Sequence, residues 1–337
     1  MLRFTDGAYF AFLIAGTLLS GGRAAAQDSS TSGYDRLMIS GLGAFRANQF
    51  GEADRFYSAA LAEARAANGR PLDVARALYG LGAVRKFNGH CDESVRMLSE
   101  SIQIVEIGQG IGSAEMASMW QVLGGAYYCQ HLYSNSINAY RRALAFADIP
   151  DPNGPPRVFE ILSSLAVSLS RAGRVSEAES ALDRARSMLT RDGHPDPVQM
   201  ALLLNNYAAV RRAGGHGEEA PALLSEAIET LRSTKTPDTS LQAAIASNLG
   251  AIFQDRKQYE RAAEYYRQGV ELIDQGAPIL PLDAAAVYQN YAACLRKCGR
   301  KAEARRLEAR ARTLLAGPAR PAAAADVVDA SSFTRRK

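Results

Sequence analysis

The sequence predicts an all-α fold, a right-handed α-solenoid of about seven helix-turn-helix units, and three observations predict it. First, residues recur every 42 positions. Asn206, Asn248 and Asn290 form one such column; Leu123, Leu165, Tyr207, Leu249 and Tyr291 a second; Ala178, Ala220, Ala262 and Ala304 a third. A period in this range is the mark of stacked helical repeats that bury their faces only against their neighbours. Second, each period holds two apolar stripes at helical spacing, separated by a turn. Third, Pro71, the Pro150–Pro156 cluster, Pro195, Pro197, Pro237, Pro278 and Pro281 fall between units. Proline inside a helix costs roughly 3 kcal/mol, so these mark connections.

In register, the units begin near Tyr34, Ala75, Ala117, Phe159, Ala201, Ala243 and Ala285. The first interval is 41 residues and the others are 42. Unit one carries Gly41, Phe50, Ala53, Tyr57 and Ala60; unit two Leu81-Gly82, Ser94, Leu98 and Ser101. Unit three has Trp120, Leu123-Gly124, Tyr133, Ser136 and Tyr140, and unit four Leu162, Leu165-Ala166, Gly173, Ala178 and Leu182. Unit five has Leu204, Tyr207-Ala208, Gly215, Ala220 and Leu224, with Pro221 in the first turn of its second helix, where a missing N–H does no harm. Unit six is the clearest. Leu249, Ile252 and Phe253 share one helix face, and Ala262, Tyr266, Gly269 and Val270 form the facing stripe. Gly250 and Ala262 sit where the two axes cross closely, at the usual separation of about 8–10 Å. Unit seven ends the series. Glu308 replaces the large apolar residue of earlier units and arginines flank it, as a terminal helix with no further repeat to cover it requires.

This pattern resembles the tetratricopeptide repeat family over residues 34–316. The 42-residue spacing is similar to that of kinesin light chains, with His194-Pro195-Asp196-Pro197 leading into Leu204-Asn205-Asn206-Tyr207-Ala208. The resemblance implies that the first helix of each unit lines the concave side, and that asparagines placed like these hold extended peptides there.

The remaining segments are read separately. Residues 1–26 resemble a secretory signal: Arg3, an apolar run from Ala8 to Leu19, and small residues at Ala24 and Ala26. An uncleaved anchor is the alternative, although the apolar run is short for a membrane span. Residues 27–33 read as a linker and 317–337 as a disordered tail rich in Pro, Ala and charge. The expected location is therefore periplasmic or secreted in a bacterium, with no stable membrane span after cleavage. Four cysteines allow three pairings in an oxidising compartment. Cys91 and Cys129 fall near helix turns of neighbouring units, where a bond is possible; buried thiols are the other reading. Cys294 and Cys298 lie one helical turn apart.

By that resemblance, the sixth residue of each first helix points into the groove, as do those three, six and seven places later. Asn206, Asn248 and Asn290 occupy the sixth place; Arg212, Arg296 and Lys297 stand at the six- and seven-later places. An Asn carboxamide both donates and accepts, so it can pair with the backbone of an extended peptide. The basic edge favours an acidic segment. Bracing of neighbouring helices is the competing role for the asparagines. In the N-terminal half Met38, Leu42, Phe45, Tyr79, Phe87, Gln121 and Tyr128 come to these places or beside them, with Arg46 and Lys86 at the edge, an aromatic and aliphatic surface instead of an amide ladder.

Other functions are disfavoured. The 39 basic and 35 acidic residues are too balanced for a nucleic-acid binder. The four histidines form no metal-ligand pair, and Gly108-Gln109-Gly110-Ile111-Gly112 lacks the strand and the Lys-Ser/Thr of a phosphate loop. No enzyme, metal or cofactor is expected. The expected function is a scaffold that binds an extended, acidic segment of an envelope or secreted protein in the groove. The alternative is a structural subunit of an envelope complex that uses convex or edge surfaces.

Overall fold

The computed structural model describes residues 32–66, 70–108, 112–147, 158–191, 196–232, 234, 238–277, 279 and 281–316. The expected signal, most of the linker, the tail and the Pro150–Pro156 cluster lie outside them. The described residues form fourteen α-helices and no strand. In chain order these are α1 (Gly33–Arg46), α2 (Phe50–Ala66), α3 (Pro71–Phe87), α4 (Cys91–Gly108), α5 (Ser113–Cys129), α6 (Tyr133–Ala147) and α7 (Val158–Arg171). There follow α8 (Val175–Thr190), α9 (Pro197–Ala213), α10 (Ala220–Arg232), α11 (Thr239–Asp255), α12 (Tyr259–Asp274), α13 (Pro281–Lys297) and α14 (Lys301–Ala316). Odd-numbered helices are the first, or A, helices of the seven units; even-numbered ones are the B helices.

The A helices begin earlier than the apolar register indicates. Pro71, Pro197 and Pro281 are the first residues of α3, α9 and α13, so they open helices instead of lying in the connections. At that position the missing proline N–H has no intrahelical partner to lose. Asp196 and Asp238 precede α9 and α11 and accept from the Gln199 and Leu241 N–H groups at 2.9 Å. Such caps contribute about 1 kcal/mol each. The linker is shorter than expected for a related reason. Ser32 caps α1, its hydroxyl accepting from Asp35 N–H at 3.1 Å, and Gly33 already begins the helix.

Every A helix ends in the same turn. Asn48, Gly89, His131, Gly173, Gly215, Lys257 and Gly299 all have φ between 57° and 88°. At each, the N–H of that residue and of the next bond back to carbonyls of the last helical turn, as in Gly173→Ser170 at 3.0 Å and Arg174→Leu169 at 2.9 Å. This left-handed cap satisfies orphan carbonyls and sends the chain at once into the B helix. Unit five departs from the pattern. Register places the start of its B helix at Gly217, but α10 begins at Ala220. A helix begun at Gly217 would carry Pro221 at its fifth residue, with a lost hydrogen bond and a ring clash. Residues 217–219 form turns instead.

Each A helix packs along its own B helix. Ideal Cβ atoms at Gly41, Gly124 and Gly250 would stand 2.8–2.9 Å from the rings of Tyr57, Tyr140 and Tyr266, so only glycine allows the axes this close. The tyrosines are buried to 1% exposure and belong, with the alanine columns, to two core clusters, one in units one to three and one in units three to seven, with Trp120 and Phe146 packed against both. Each A helix also touches the next A helix, while the B helices reach the following unit mainly through its A helix. The A helices thus form one layer and the B helices a second. The A layer is curved: the Asp283 carboxylate of α13 bears on the Lys86 ammonium of α3, although four A helices separate them in the series.

Candidate functional site

The exposed side of the A layer is the candidate site, and two residues of each A helix meet at each seam between units. Gly80, at the sixth place of unit two counted from Ala75, leans toward the preceding unit, since a Cβ there would strike Tyr57 of α2 at 2.7 Å. Asn248, at the same place in α11, does likewise: its Nδ2 donates to Asn205 Oδ1 of α9 at 2.8 Å. A fifth-place residue therefore faces the sixth-place residue of the following unit. The Asn205–Asn248 bond shows this at one seam; by register the corresponding places at the other seams hold Gln121 and Ser164, Ser163 and Asn206, and Ser247 and Asn290.

The three expected asparagines thus stand in one column, in different states. Asn248 is buried and tied to Asn205, which realises the bracing role at that seam. Asn206 is also buried, at 6% exposure, and no hydrogen bond ties its carboxamide to another described residue. Asn290 is half-buried. The neighbours of this column differ as well. Ser164 and Ser247 donate to carbonyls of their own helices, Glu160 O at 2.9 Å and Ala243 O at 2.8 Å. Gln121 Nε2 and Ser163 Oγ are buried and have no hydrogen-bond partner among the described residues.

The basic edge is largely engaged. Arg212 Nε donates to Asp255 Oδ2 at 2.7 Å, a pair that bridges α9 and α11. Arg296 makes a two-pronged bond to Glu308 of α14, both contacts at 2.8 Å, so this guanidinium is held against the final helix. Arg171 Nε donates to Tyr128 Oη at 3.1 Å. Lys297 is exposed, with no ion-pair partner among the described residues, so it is the cation most open to an incoming carboxylate.

The aromatic surface expected in the N-terminal half is mostly core. Phe45 and Phe87, at 2% and 3% exposure, pack with Phe50 into a three-ring cluster with centroids 5.2–5.6 Å apart. Leu42 and Tyr79 are buried as well. The apolar side chains were too large to be left in water, and the tight α1–α3 packing takes them in. Lys86 lies among them, its ammonium 4.2 Å over the Phe87 ring, and burial pushes its pKa down to about 7.

Three further features bear on chemistry. Cys91 and Cys129 form a disulfide with Cα atoms 6.1 Å apart, joining the start of α4 to the end of α5. Cys294 is buried, donates to Tyr259 O at 2.9 Å, and has its thiol pKa pushed up to about 12 chiefly by burial, which leaves it a poor nucleophile. The turn opened by Pro221 brings together the exposed ligand atoms of His216, Glu218 and Glu219, within 4.8 Å of one another. Arg211 stands 3.5 Å from Glu219 there and already supplies a cation. No described helix is long and apolar enough to cross a membrane.

Comparison with known proteins agrees with this architecture. Residues 199–275 match the tetratricopeptide repeat family model. The kinesin light chain-related 3 protein of Arabidopsis thaliana is 25% identical over 256 residues, which cover 74% of this chain and 38% of that protein. The chain therefore spans under two-fifths of that relative's length. Among solved structures, a Rap protein complexed with competence and sporulation factor aligns with a TM-score of 0.58 at 12% identity, over 83% of this chain and 74% of that one. The Rap conjugation gene regulator of plasmid pLS20, in complex with the Phr* peptide, aligns at 0.56 and 17% identity, over 87% and 79% of the two chains. The kinesin-light-chain repeats of Podosopora anserina align at 0.50 and 18% identity, covering 61% of this chain and all of that one. Residues 199–275 thus match tetratricopeptide repeats, and the seven helix pairs in register share the solenoid fold of kinesin-light-chain-like repeat proteins.

Proposed function

We propose that the protein is a binding scaffold that holds an extended, acidic segment of another envelope or secreted protein along the A layer. The observation that carries this is the polar column at the fifth and sixth places of α5 to α13, in a layer whose buried residues are otherwise mostly apolar. Asn206, Asn248 and Asn290 would hold the peptide backbone. Lys297, and Arg212 and Arg296 on exchange of their present partners, would meet its carboxylates. Support also comes from two structural neighbours, the Rap proteins solved with the competence and sporulation factor and with the Phr* peptide. Replacing Asn206, Asn248 and Asn290 together by alanine tests the reading. The wild-type chain should capture a partner from an envelope fraction that the triple variant loses with its helicity intact. Undiminished capture by a folded variant refutes groove binding.

A second reading is favoured by the Asn248–Asn205 and Arg212–Asp255 bonds, which spend groove residues on holding α9 to α11. On that reading the solenoid is a rigid structural subunit of an envelope complex, contacted on its convex or edge surfaces. Cross-links mapping to the B helices would favour it; cross-links mapping to the A layer would remove it.

Export belongs to the same proposal. The signal-like residues 1–26 would be removed, and the Cys91–Cys129 disulfide suits an oxidising compartment, where such bonds persist. Mass spectrometry of the mature protein should find Gln27 at its start. An intact Met1 in the membrane fraction would overturn cleavage.

A further inference from the structure

Buried hydrogen-bonding groups in native proteins nearly always find partners, so those that do not call for an explanation. Gln121 Nε2 on α5 and Ser163 Oγ on α7 are such groups, each on a residue only 5% exposed. They occupy the same fifth place in consecutive A helices and therefore face consecutive seams of one layer. Asn206, whose carboxamide is bonded to no other described residue, lies across the second of these seams. One seam further on the situation reverses, because Asn205 and Asn248 satisfy each other. Gln254 Oε1, further along α11, is another buried group of the A layer without a partner among the described residues; at the fifth and sixth places such groups are thus Gln121 Nε2 and Ser163 Oγ, in units three and four.

We propose that the peptide seat is centred there, on Gln121, Ser163 and Asn206, with the Asn205–Asn248 pair serving as a structural clamp on its C-terminal side. This deepens the groove-binding reading and rests on it. Chemistry selects the occupant. Gln121 Nε2 requires an acceptor, while Ser163 Oγ and the Asn206 carboxamide take either a donor or an acceptor. The backbone of an extended chain supplies both in alternation without regard to its side chains. Adjacent A helices are about 9 Å apart, and an extended chain advances about 3.3 Å per residue. The two intervals from α5 to α9 therefore span about six residues of peptide. The groups lie beneath the surface of the layer, so the proposal requires that a chain seated on the seam draw them outward to its backbone.

The test uses the purified full chain and a displayed library of 12-residue peptides. The best selected peptide is synthesised and its affinity measured against variants. Gln121→Leu combined with Ser163→Ala should weaken binding at least about tenfold, the usual effect of losing one or two good hydrogen bonds. Asn206→Ala should do the same, and Asn290→Ala, at the far end of the asparagine column, should weaken binding by less than either. The melting temperature supplies an independent readout. Removing unpartnered buried polar atoms should raise the melting temperature of the Gln121→Leu/Ser163→Ala variant even as it loses affinity, whereas residues that merely hold the fold would lower it. A fall in melting temperature overturns the proposal. Unchanged affinity in that variant, with loss in Asn248→Ala and Asn290→Ala, also overturns it but leaves groove binding standing with a C-terminal seat. Failure of every selected peptide to respond to any of these residues removes both.

Discussion

The Lys86 ammonium lies over the Phe87 ring and beside Gly125, with Asp283 supplying a favourable but smaller charge effect than burial. Its pKa falls from 10.5 to about 7. Between those values the unfolded chain keeps the proton that the folded chain gives up, so stability rises with pH across this window. Below about 7 both states are charged and the whole cost of burying the charge is present. Lys86→Met should therefore stabilise the protein at pH 6 by more than at pH 9, and should flatten the rise in melting temperature between them. Equal gains at both pH values would show that Lys86 is not the titrating group. At the same scale, Gly250 meets the Tyr266 ring so closely that Gly250→Ala must displace the ring or part α11 from α12. Overpacking of this kind costs about 1–3 kcal/mol, measured as a shift in denaturant midpoint.

At the scale of the element, the A–B turn is the recurring device, and its chemistry is unequal among units. Four of the seven left-handed positions are glycine, while Asn48, His131 and Lys257 hold the same conformation with a side chain. A left-handed residue with a Cβ costs about 1–2 kcal/mol, less the extra entropy glycine loses on folding. Lys257→Gly should raise stability by about 0.5–1 kcal/mol, and Gly173→Ala should lower it by a similar amount or more. Matched thermal melts of the two variants check both signs. These turns also show what could be read beforehand. The 42-residue period and the small residues at the crossings named the helix pairs, because burial repeats with them. The turn series was partly hidden, since three of its members are not glycine. The early starts of the A helices were hidden as well. Their first turns open on caps and prolines, which read as connections, and apolar residues there such as Leu72, Val198 and Met200 are only partly buried. Periodicity likewise told which face of each A helix points to the groove but not which neighbour a residue leans on. The pairing of fifth with sixth places, and with it Gln121, Ser163 and Asn205, required the packed helices.

At the scale of the molecule, the stack must end somewhere, and α14 shows how. Each earlier B helix buries a face against the next A helix; in α12 that face includes Ala263, Tyr266 and Val270, all under 8% exposed. One period later the same places hold Arg305, Glu308 and Arg312. Glu308 is drawn back to Arg296, and Arg305 and Arg312 remain exposed. Leu315, equivalent to the partly buried Ile273, is 50% exposed. Desolvating this face against another helix would leave arginines buried without partners, and that cost keeps a second molecule from continuing the stack. The combined substitution Arg305→Ala, Glu308→Tyr and Arg312→Val restores the side chains that α12 presents to α13. It should convert the terminal face into an apolar patch that a second chain covers. Light scattering after size exclusion should show a mass that rises with protein concentration, while the parent chain under the same conditions shows none of that rise. A variant that stays at the parent's mass up to high micromolar concentration would mean that the charged face is not what terminates the stack.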